Sequence, residues 1–392
     1  MPLYEGIGIG SDKHSVVIEL GQSFTKCGFV GEYSPRAIIR SQVFDTKLNK
    51  MVNIYSITDD KELYSALKEF IRVLYFRYLA VNPKDRRLVI VESMFTSSRF
   101  RNQLLKVLYL YYDIQALLIV PQHLVALATL GLSTALILDV GYKEAIAVPI
   151  IEGVTVVDGL QFAPLGGKSI HYRIMDELIQ RRATIDHNNE QIVIAEPLNE
   201  DVLEDIKIRT CFVAPFERGV RLSQQKLDFE EGMSISAPPS NVLYPIDGQK
   251  VLNIPGSLRE SVCEVLFEMY GDEHTIPTLI IDAILKCSLD SRRHLASNII
   301  IIGGTSMLPG FRHRLLNELK ALAKSNRYES KLHFHDFKFH TNPCPANYSS
   351  WLGAAIFASS DIVSTRSVTL EQYIKNNQKI NDWSDWVPEK NR

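Results

Sequence analysis

The stretch Ile299-Ile300-Ile301-Ile302-Gly303-Gly304-Thr305-Ser306-Met307-Leu308-Pro309-Gly310-Phe311 carries the strongest fold signal in the chain. Four β-branched residues in a row predict a strand buried on both faces. At its carboxyl end the two glycines let the backbone turn sharply and lie against a flat ligand, because glycine has no Cβ. Ligands bind at that end of a strand in open α/β sheets. Taken alone, the segment is equally an ordinary buried strand running into a turn. A side chain at Gly304 is expected to press into a ligand or into the neighbouring strand.

Two more segments join it. One is Val16-Val17-Ile18-Glu19-Leu20-Gly21-Gln22-Ser23-Phe24-Thr25-Lys26-Cys27-Gly28-Phe29-Val30-Gly31-Glu32, and the other Ala135-Leu136-Ile137-Leu138-Asp139-Val140-Gly141-Tyr142-Lys143-Glu144-Ala145-Ile146-Ala147-Val148-Pro149-Ile150. Each is an apolar strand with an acidic residue at or near its end, a glycine-containing turn and a second strand, which is a β-hairpin signature. One such hairpin per half suggests a duplicated α/β unit with a cleft between the halves.

A chain of 392 residues favours more than one domain. Hydrophobic residues make up 46% and charged residues 22%, the balance of an ordinary globular protein. Basic and acidic residues number 43 and 45, a net charge of −2, so bulk attraction to nucleic acid or anionic lipid is not expected. No apolar run reaches bilayer length, and Met1-Pro2-Leu3-Tyr4-Glu5-Gly6 lacks the regions of a signal peptide. The cysteines Cys27, Cys211, Cys263, Cys287 and Cys344 are odd in number and show no zinc spacing. Free, mostly buried thiols in a reducing cytosol are expected, with no metal site built from cysteine.

Between these segments strands and helices alternate. Helices are expected over Asp59 to Ala80, Ser97 to Tyr112 and Gln122 to Leu130, with strands over Arg87 to Glu92 and Ala116 to Val120. A stretch from Ser41 to Thr58 reads as short and polar. Gly166 to Gln191 opens on a glycine pair and becomes helical, as does Asn199 to Cys211. Gln224 to Asp247 reads as loop and short strand around Pro238-Pro239. Helices follow over Leu258 to Glu268, Thr275 to Lys286, Asp290 to Ala296 and Arg312 to Ser325. The pattern is α/β. Trp383 and Trp386 in the polar tail are either a docking element or chance.

These residues resemble the actin-related proteins over most of the chain. Lys26 to Glu32 with Pro35-Arg36-Ala37 resembles actin's first phosphate hairpin, and Asp139-Val140-Gly141 with Val148-Pro149-Ile150-Ile151-Glu152-Gly153 resembles the second. Asp205-Ile206-Lys207, Cys211-Phe212-Val213-Ala214, Tyr244-Pro245-Ile246-Asp247-Gly248-Gln249 and Leu285-Lys286-Cys287 follow in the family's order. Gly303-Gly304-Thr305-Ser306-Met307 resembles the adenosine segment, and Trp351-Leu352-Gly353-Ala354-Ala355 the helix that links the halves. The resemblance implies the superfold shared by actin, chaperone ATPases and sugar kinases: two duplicated α/β halves around a nucleotide cleft, with a strongly reduced subdomain 2. It implies subdomain 1 over 1–40, 59–129 and 339–392, a vestigial subdomain 2 over 41–58, subdomain 3 over 130–165 and 272–338, and subdomain 4 over 166–271. It also implies ATP or ADP, with or without Mg²⁺, held by Gly21, Gln22, Ser23, Lys26, Asp139, Gly141, Lys207, Gly303, Gly304, Thr305 and Met307.

The departures from actin matter as much. Actin's Asp-Asn-Gly-Ser-Gly is here Glu19-Leu20-Gly21-Gln22-Ser23. Its Asp-Ser-Gly-Asp-Gly-Val is Asp139-Val140-Gly141-Tyr142-Lys143-Glu144. A longer carboxylate misplaces the water shell of Mg²⁺. Ile146 stands where actin has a His near the attacking water. Gln122 either matches the water-orienting Gln or caps its helix. Ile208 replaces a ribose-binding acid, Leu308 an adenine-facing Tyr, and Asn347 a Lys over the base. Nucleotide binding without efficient hydrolysis follows, so no catalytic residue is assigned and the nucleotide acts as a structural ligand.

Where actin has the segment that carries its DNase-binding loop, only Ser41 to Thr58 remains, shorter by roughly two dozen residues. A subunit without that loop docks on a filament's pointed end and offers nothing to the next, so the assembly stops. The combination resembles the pointed-end-capping class of dynactin, the dynein activator; Met1 to Gly6 and Tyr64 to Arg87 add to that likeness. The class implies cytoplasmic, cytoskeletal location, microtubule-based transport, and partners that are actin-like filament subunits and the other pointed-end dynactin subunits, with no homopolymer, nucleic acid or membrane insertion. The alternatives are a nuclear actin-related subunit of a chromatin remodeller, against which Lys84-Asp85-Arg86-Arg87 is too short a basic cluster for an import signal and reads as a solvated turn, and a slow ATPase of the same superfold.

Overall fold

The computed structural model describes residues 14–187, 190–194, 196–227, 237–246, 248, 250–268 and 274–380. Met1 to Gly6, Asp247, Gln249, Trp383 and Trp386 lie outside them. The chain divides into two units, one comprising the residues up to Leu130 together with those from Ser350 on, the other Gly131–Ser349.

In the first unit, the apolar run Val16–Leu20 forms strand β1, buried along its whole length. It turns back into β2, Phe24–Phe29, in antiparallel register from Val16↔Phe29 to Leu20↔Thr25. Strand β3, Ala37–Arg40, extends that side. Next come β4, Gln42–Asp45, and β5, Lys50–Asn53, which pair only with each other. On the far side of β1 lie the parallel strands β6, Leu88–Glu92, and β7, Ala116–Pro121, with Val368–Thr369 at the edge. The sheet order is therefore Val368–Thr369, β7, β6, β1, β2, β3.

Helix α1, Asp60–Val73, opens where the Asp59 carboxylate accepts the amides of Lys61 and Glu62, two donors that the first turn leaves over. Leu63, Leu67, Phe70 and Ile71 form its buried stripe. It continues as a π-helix over Leu74–Leu79 and stops at Ala80 in the left-handed region (φ 53°). Helix α2, Ser98–Lys106, ends in the same way, in a π-helix over Val107–Tyr111. Helix α3 is Gln122–Ala128. In the helix Ser349–Phe357, Trp351 is fully buried and donates its indole N–H to Val17 O at 3.0 Å.

The second unit repeats the motif. Strands β8, Ala135–Val140, and β9, Ala145–Ile151, form the hairpin; β10, Val154–Thr155, and β11, Gln161–Ala163, flank β9. Helix α4 is Gly167–Gln180. A second sheet holds β12, Thr184–His187, and β13, Glu190–Val193, and beyond helices α5, Glu200–Thr210, and α6, Phe216–Leu227, the strands β14, Val242–Pro245, and β15, Lys250–Ile254, in the order β13-β12-β15-β14. Helices α7, Gly256–Ser261, α8, Ile276–Leu285, and α9, Leu289–Ser297, then lead to β16, Ile299–Ile302, which lies parallel to β8. Its four isoleucines are at most 1% exposed, each contributing about 1.5–3 kcal/mol of burial. Helix α10 is Phe311–Ala323.

Four expectations are corrected. The helix expected to Gln191 ends at Gln180: Arg182 takes a positive φ of 51°, and the β-branched residues Thr184, Ile185, Ile192 and Val193 make a hairpin instead. Helix α6 runs into the segment read as loop from Gln224. The span from Leu258 to Glu268 begins one turn earlier, at Gly256, and tightens to a 3₁₀ helix over Val262–Leu266. The polar stretch Ser41 to Thr58 is the β4–β5 hairpin, with Val43 inside and Phe44 and Met51 opposite each other outside. Cys27, Cys211, Cys263 and Cys287 are buried free thiols. Burial pushes the Cys27 thiol up to about 12 and Cys211 to about 11, which keeps both unreactive.

Candidate functional site

Of the proposed ligand-facing residues, Gly21, Gln22, Ser23 and Lys26 fall in the first unit and Asp139, Gly141, Lys207, Gly303, Gly304, Thr305 and Met307 in the second.

In the first unit the β1–β2 turn is Gly21-Gln22-Ser23. A Cβ on Gly21 would stand 2.5 Å from Phe24 O, so only glycine fits there. Four consecutive carbonyls of this turn are held by the short segment after β3. Leu20 O accepts Tyr55 OH at 2.9 Å, Gly21 O accepts Ser41 Oγ at 2.5 Å, Gln22 O accepts Asn53 Nδ2 at 2.7 Å, and Ser23 O accepts the Ser41 amide at 3.0 Å. Lys26 Nζ lies 2.5 Å from Glu19 Oε1, and both side chains are mostly buried. The charge expected to face a phosphate is thus paired within the chain. Glu19 Oε2 is buried without a hydrogen-bond partner.

In the second unit the β8–β9 turn is fastened from another direction. Gly141 O accepts the Gly167 amide at 3.1 Å and the Thr305 hydroxyl at 2.7 Å, and Tyr142 O accepts the Lys168 amide at 2.7 Å. A Cβ on Gly166 would stand 2.7 Å from both carbonyls. The carboxyl end of β16 enters through Gly303, at φ 90°, packed against the Val140 carbonyl and Asp139 Oδ1, where no Cβ fits. Gly304 is the open position, since a Cβ there would meet only Asn347 Cβ at 3.7 Å. The close approach expected of Gly304 to its neighbouring strand therefore belongs to Gly303. Thr305 is buried and Met307 half-exposed.

Lys207 is buried on α5, donating to Glu204 Oε2 at 2.7 Å, and His171 Nε2 lies 2.9 Å from the same oxygen. Burial opposes ionisation of Glu204. The hydrogen bond from His171 and the Lys207 charge outweigh it, holding the carboxyl down at about 2. A depressed carboxylate stabilises the fold above its ordinary range near 4.5, and that contribution is lost as pH falls toward 2. The Tyr142 ring meets the His171 ring edge-on at 5.6 Å, and its hydroxyl is buried without a partner. Residue choice in the sequence overlooked Glu204, His171 and Gly166. The Glu204–Lys207 pair has a legible i,i+3 spacing; His171 has no local signal.

A family model for actin matches residues 10–381. The chain belongs to the actin family. Among curated proteins it is similar to a Dictyostelium discoideum protein named actin-related protein 10, 28% identical over 438 aligned positions that cover 95% of this chain and 89% of the relative.

Against the actin pattern, Ile146 is buried opposite Asp139 in the β8–β9 register, an apolar group with no proton to move. Ile208 is 60% exposed and Leu308 buried. Pro121 holds the N-cap position of α3, and no side-chain cap bond forms there. The nucleoside part of a nucleotide fits the second unit, where Asn347 Oδ1 is buried without a hydrogen-bond partner beside the open Gly304. Gly303, Gly304, Thr305, Asn347 and Lys207 would hold it. Among the described residues no three His, Cys, Asp or Glu side chains gather as metal ligands, and no helix is long and apolar enough to cross a membrane.

Proposed function

We propose that this actin-family chain is a non-polymerising subunit that caps the pointed end of the short actin-like filament of dynactin and so supports dynein-driven transport along microtubules. The observation that carries the reading is the segment between β3 and α1. It consists of a hairpin of two four-residue strands and one 3₁₀ turn, tied back onto its own β1–β2 turn by Ser41, Asn53 and Tyr55. A hairpin tied down in this way offers no long loop to a following subunit, and a head-to-tail assembly lacking one surface ends there. The likeness to actin-related protein 10 accords with this. Its partners are the terminal filament subunit and the other pointed-end subunits, in the cytoplasm.

Nucleotide, ATP or ADP, is proposed as a bound structural ligand rather than a substrate that turns over. It supplies phosphate charge and a flat base. Tyr142 and Lys143 in place of an acid and a glycine, with Ile146 behind them, support slow or absent hydrolysis. Mg²⁺, where it accompanies the phosphates, would be held by them and not by a cluster of carboxylates among the described residues.

The test is affinity purification of the native complex with mass spectrometry, and imaging of a labelled chain on the filament. One copy at the pointed end, with dynactin subunits, is expected. Alone, the chain should stay in the supernatant under actin-polymerising salt, and on denaturation release ATP or ADP. Homopolymers, label along the filament interior, or remodeller subunits in the purification would overturn the cap. Phosphate release as fast as actin's would overturn the structural role of nucleotide.

A further inference from the structure

The second unit contains a recess beside the β8–β9 turn and the start of α4. Its volume is about 500 Å³, and Lys143, Pro164, Lys168, Tyr172, Arg173 and Val265 line it, with Ser169 and Asp176. That volume suits a small ligand rather than a folded partner.

The charges in it are unevenly answered. Arg173 donates to Glu268 at 2.8 Å, and Asp176 accepts from Gln180 at 2.8 Å. The Ser169 hydroxyl is spent, donating to Pro164 O and accepting the Gly166 amide. Lys143, exposed on the β8–β9 turn, and Lys168, on the first turn of α4, make no ion pair among the described residues. The Lys168 ammonium lies 5.5 Å from the Tyr172 ring centre, so the ring face holds it in place. At the start of α4 the Gly167 and Lys168 amides already donate to Gly141 O and Tyr142 O, so they are not free to meet an anion. An anion here must be met by side chains.

We propose that this recess is a binding site for a small polyphosphate anion. Two lysines from separate elements, a turn and a helix, line one concave surface. Lysine suits terminal phosphate oxygens as a compact point charge. Linked phosphates offer a charge to each lysine, while Pro164, Val265 and the exposed Tyr172 ring bound the uncharged side. Through Lys143 the site borders the β8–β9 turn of the nucleotide reading without resting on it, and Lys26→Gln separates the two.

Tripolyphosphate is the probe, titrated calorimetrically into the full chain in about 0.1 M salt, where surface attraction is screened beyond roughly 10 Å. One equivalent should bind. Lys143→Gln and Lys168→Gln should each weaken it about tenfold, with unchanged melting temperature in the absence of the probe. Four results would overturn the site: no binding by the native chain, equal binding by both lysine variants, loss of binding through Lys26→Gln instead, or binding of a polyglutamate peptide where tripolyphosphate fails.

Discussion

The β1–β2 and β8–β9 turns occupy equivalent places in a repeated motif, an antiparallel hairpin whose first strand also pairs in parallel with a later one. They are fastened by different means. In the first unit, side chains and one amide from Ser41, Asn53 and Tyr55 take four consecutive turn carbonyls. In the second, helix α4 docks its first amides onto the turn and Thr305 adds a hydroxyl. The cations differ likewise: Lys26 meets a carboxylate from its own hairpin, while Lys207 meets one from its own helix that His171 shares. A duplicated topology thus fixes where a turn lies. Segments distant in sequence decide how rigid it is and what charge it shows.

The largest expected effect tests the second turn. Gly303→Val places a branched side chain at a positive φ and against the Val140 backbone, with Asp139 beside it. Strain and overpacking together should cost about 3 kcal/mol or more. Gly304→Ala adds a methyl in ordinary contact with Asn347 and should cost less than about 1 kcal/mol. Chemical denaturation of both variants checks the contrast. If the two fall equally, the crowding assigned to Gly303 is wrong. If Gly304→Ala keeps its stability but loses bound nucleotide, the open side of that glycine faces the ligand.

Local pattern made much of this legible and left some of it hidden. The isoleucine run of β16 and both hairpins could be read from apolar runs that end in glycine, since burial on two faces leaves an unbroken signature. Asp59 and Asn199 were readable as helix starts because capping acts within three residues. The ties on the first turn were not, since Ser41, Asn53 and Tyr55 act across 20 to 35 positions with no period to betray them. Nor could the crowded glycine of the 303–304 pair be told from its neighbour without a backbone angle. Lys207 was picked out by resemblance and its i,i+3 spacing to Glu204 was legible, but that His171 shares the same carboxylate needed the fold.

A smaller effect tests the first turn. Tyr55→Phe removes the hydroxyl that Leu20 O accepts and keeps the ring, which stacks on Phe100 at 4.4 Å between centroids. One hydrogen bond is worth about 1 kcal/mol net, and that loss is expected. Ser41→Ala should match or exceed it, because Ser41 Oγ contacts both Gly21 O and Thr25 Oγ1. Hydrogen exchange localises the change: amides around Gly21 should exchange faster while those around Gly141 hold. Equal acceleration at both turns would show that they open as one cooperative unit, against the independent fastening described above.

The smallest effect has the opposite sign. Tyr142→Phe in the second turn also deletes a single hydroxyl, but that oxygen is buried without a hydrogen-bond partner. The ring contact with His171 survives the change. Deleting an unsatisfied buried polar group removes a desolvation cost and no bond, so stability should stay level or rise by up to about 1 kcal/mol. Tyr55→Phe and Tyr142→Phe are thus the same chemical deletion at equivalent turns with opposite expected outcomes. Melting curves for the pair, run side by side, decide it. A loss of 1 kcal/mol or more in Tyr142→Phe would mean that its hydroxyl is bonded in solution, and that the second turn is fastened by a side chain of its own as well as by α4 and Thr305.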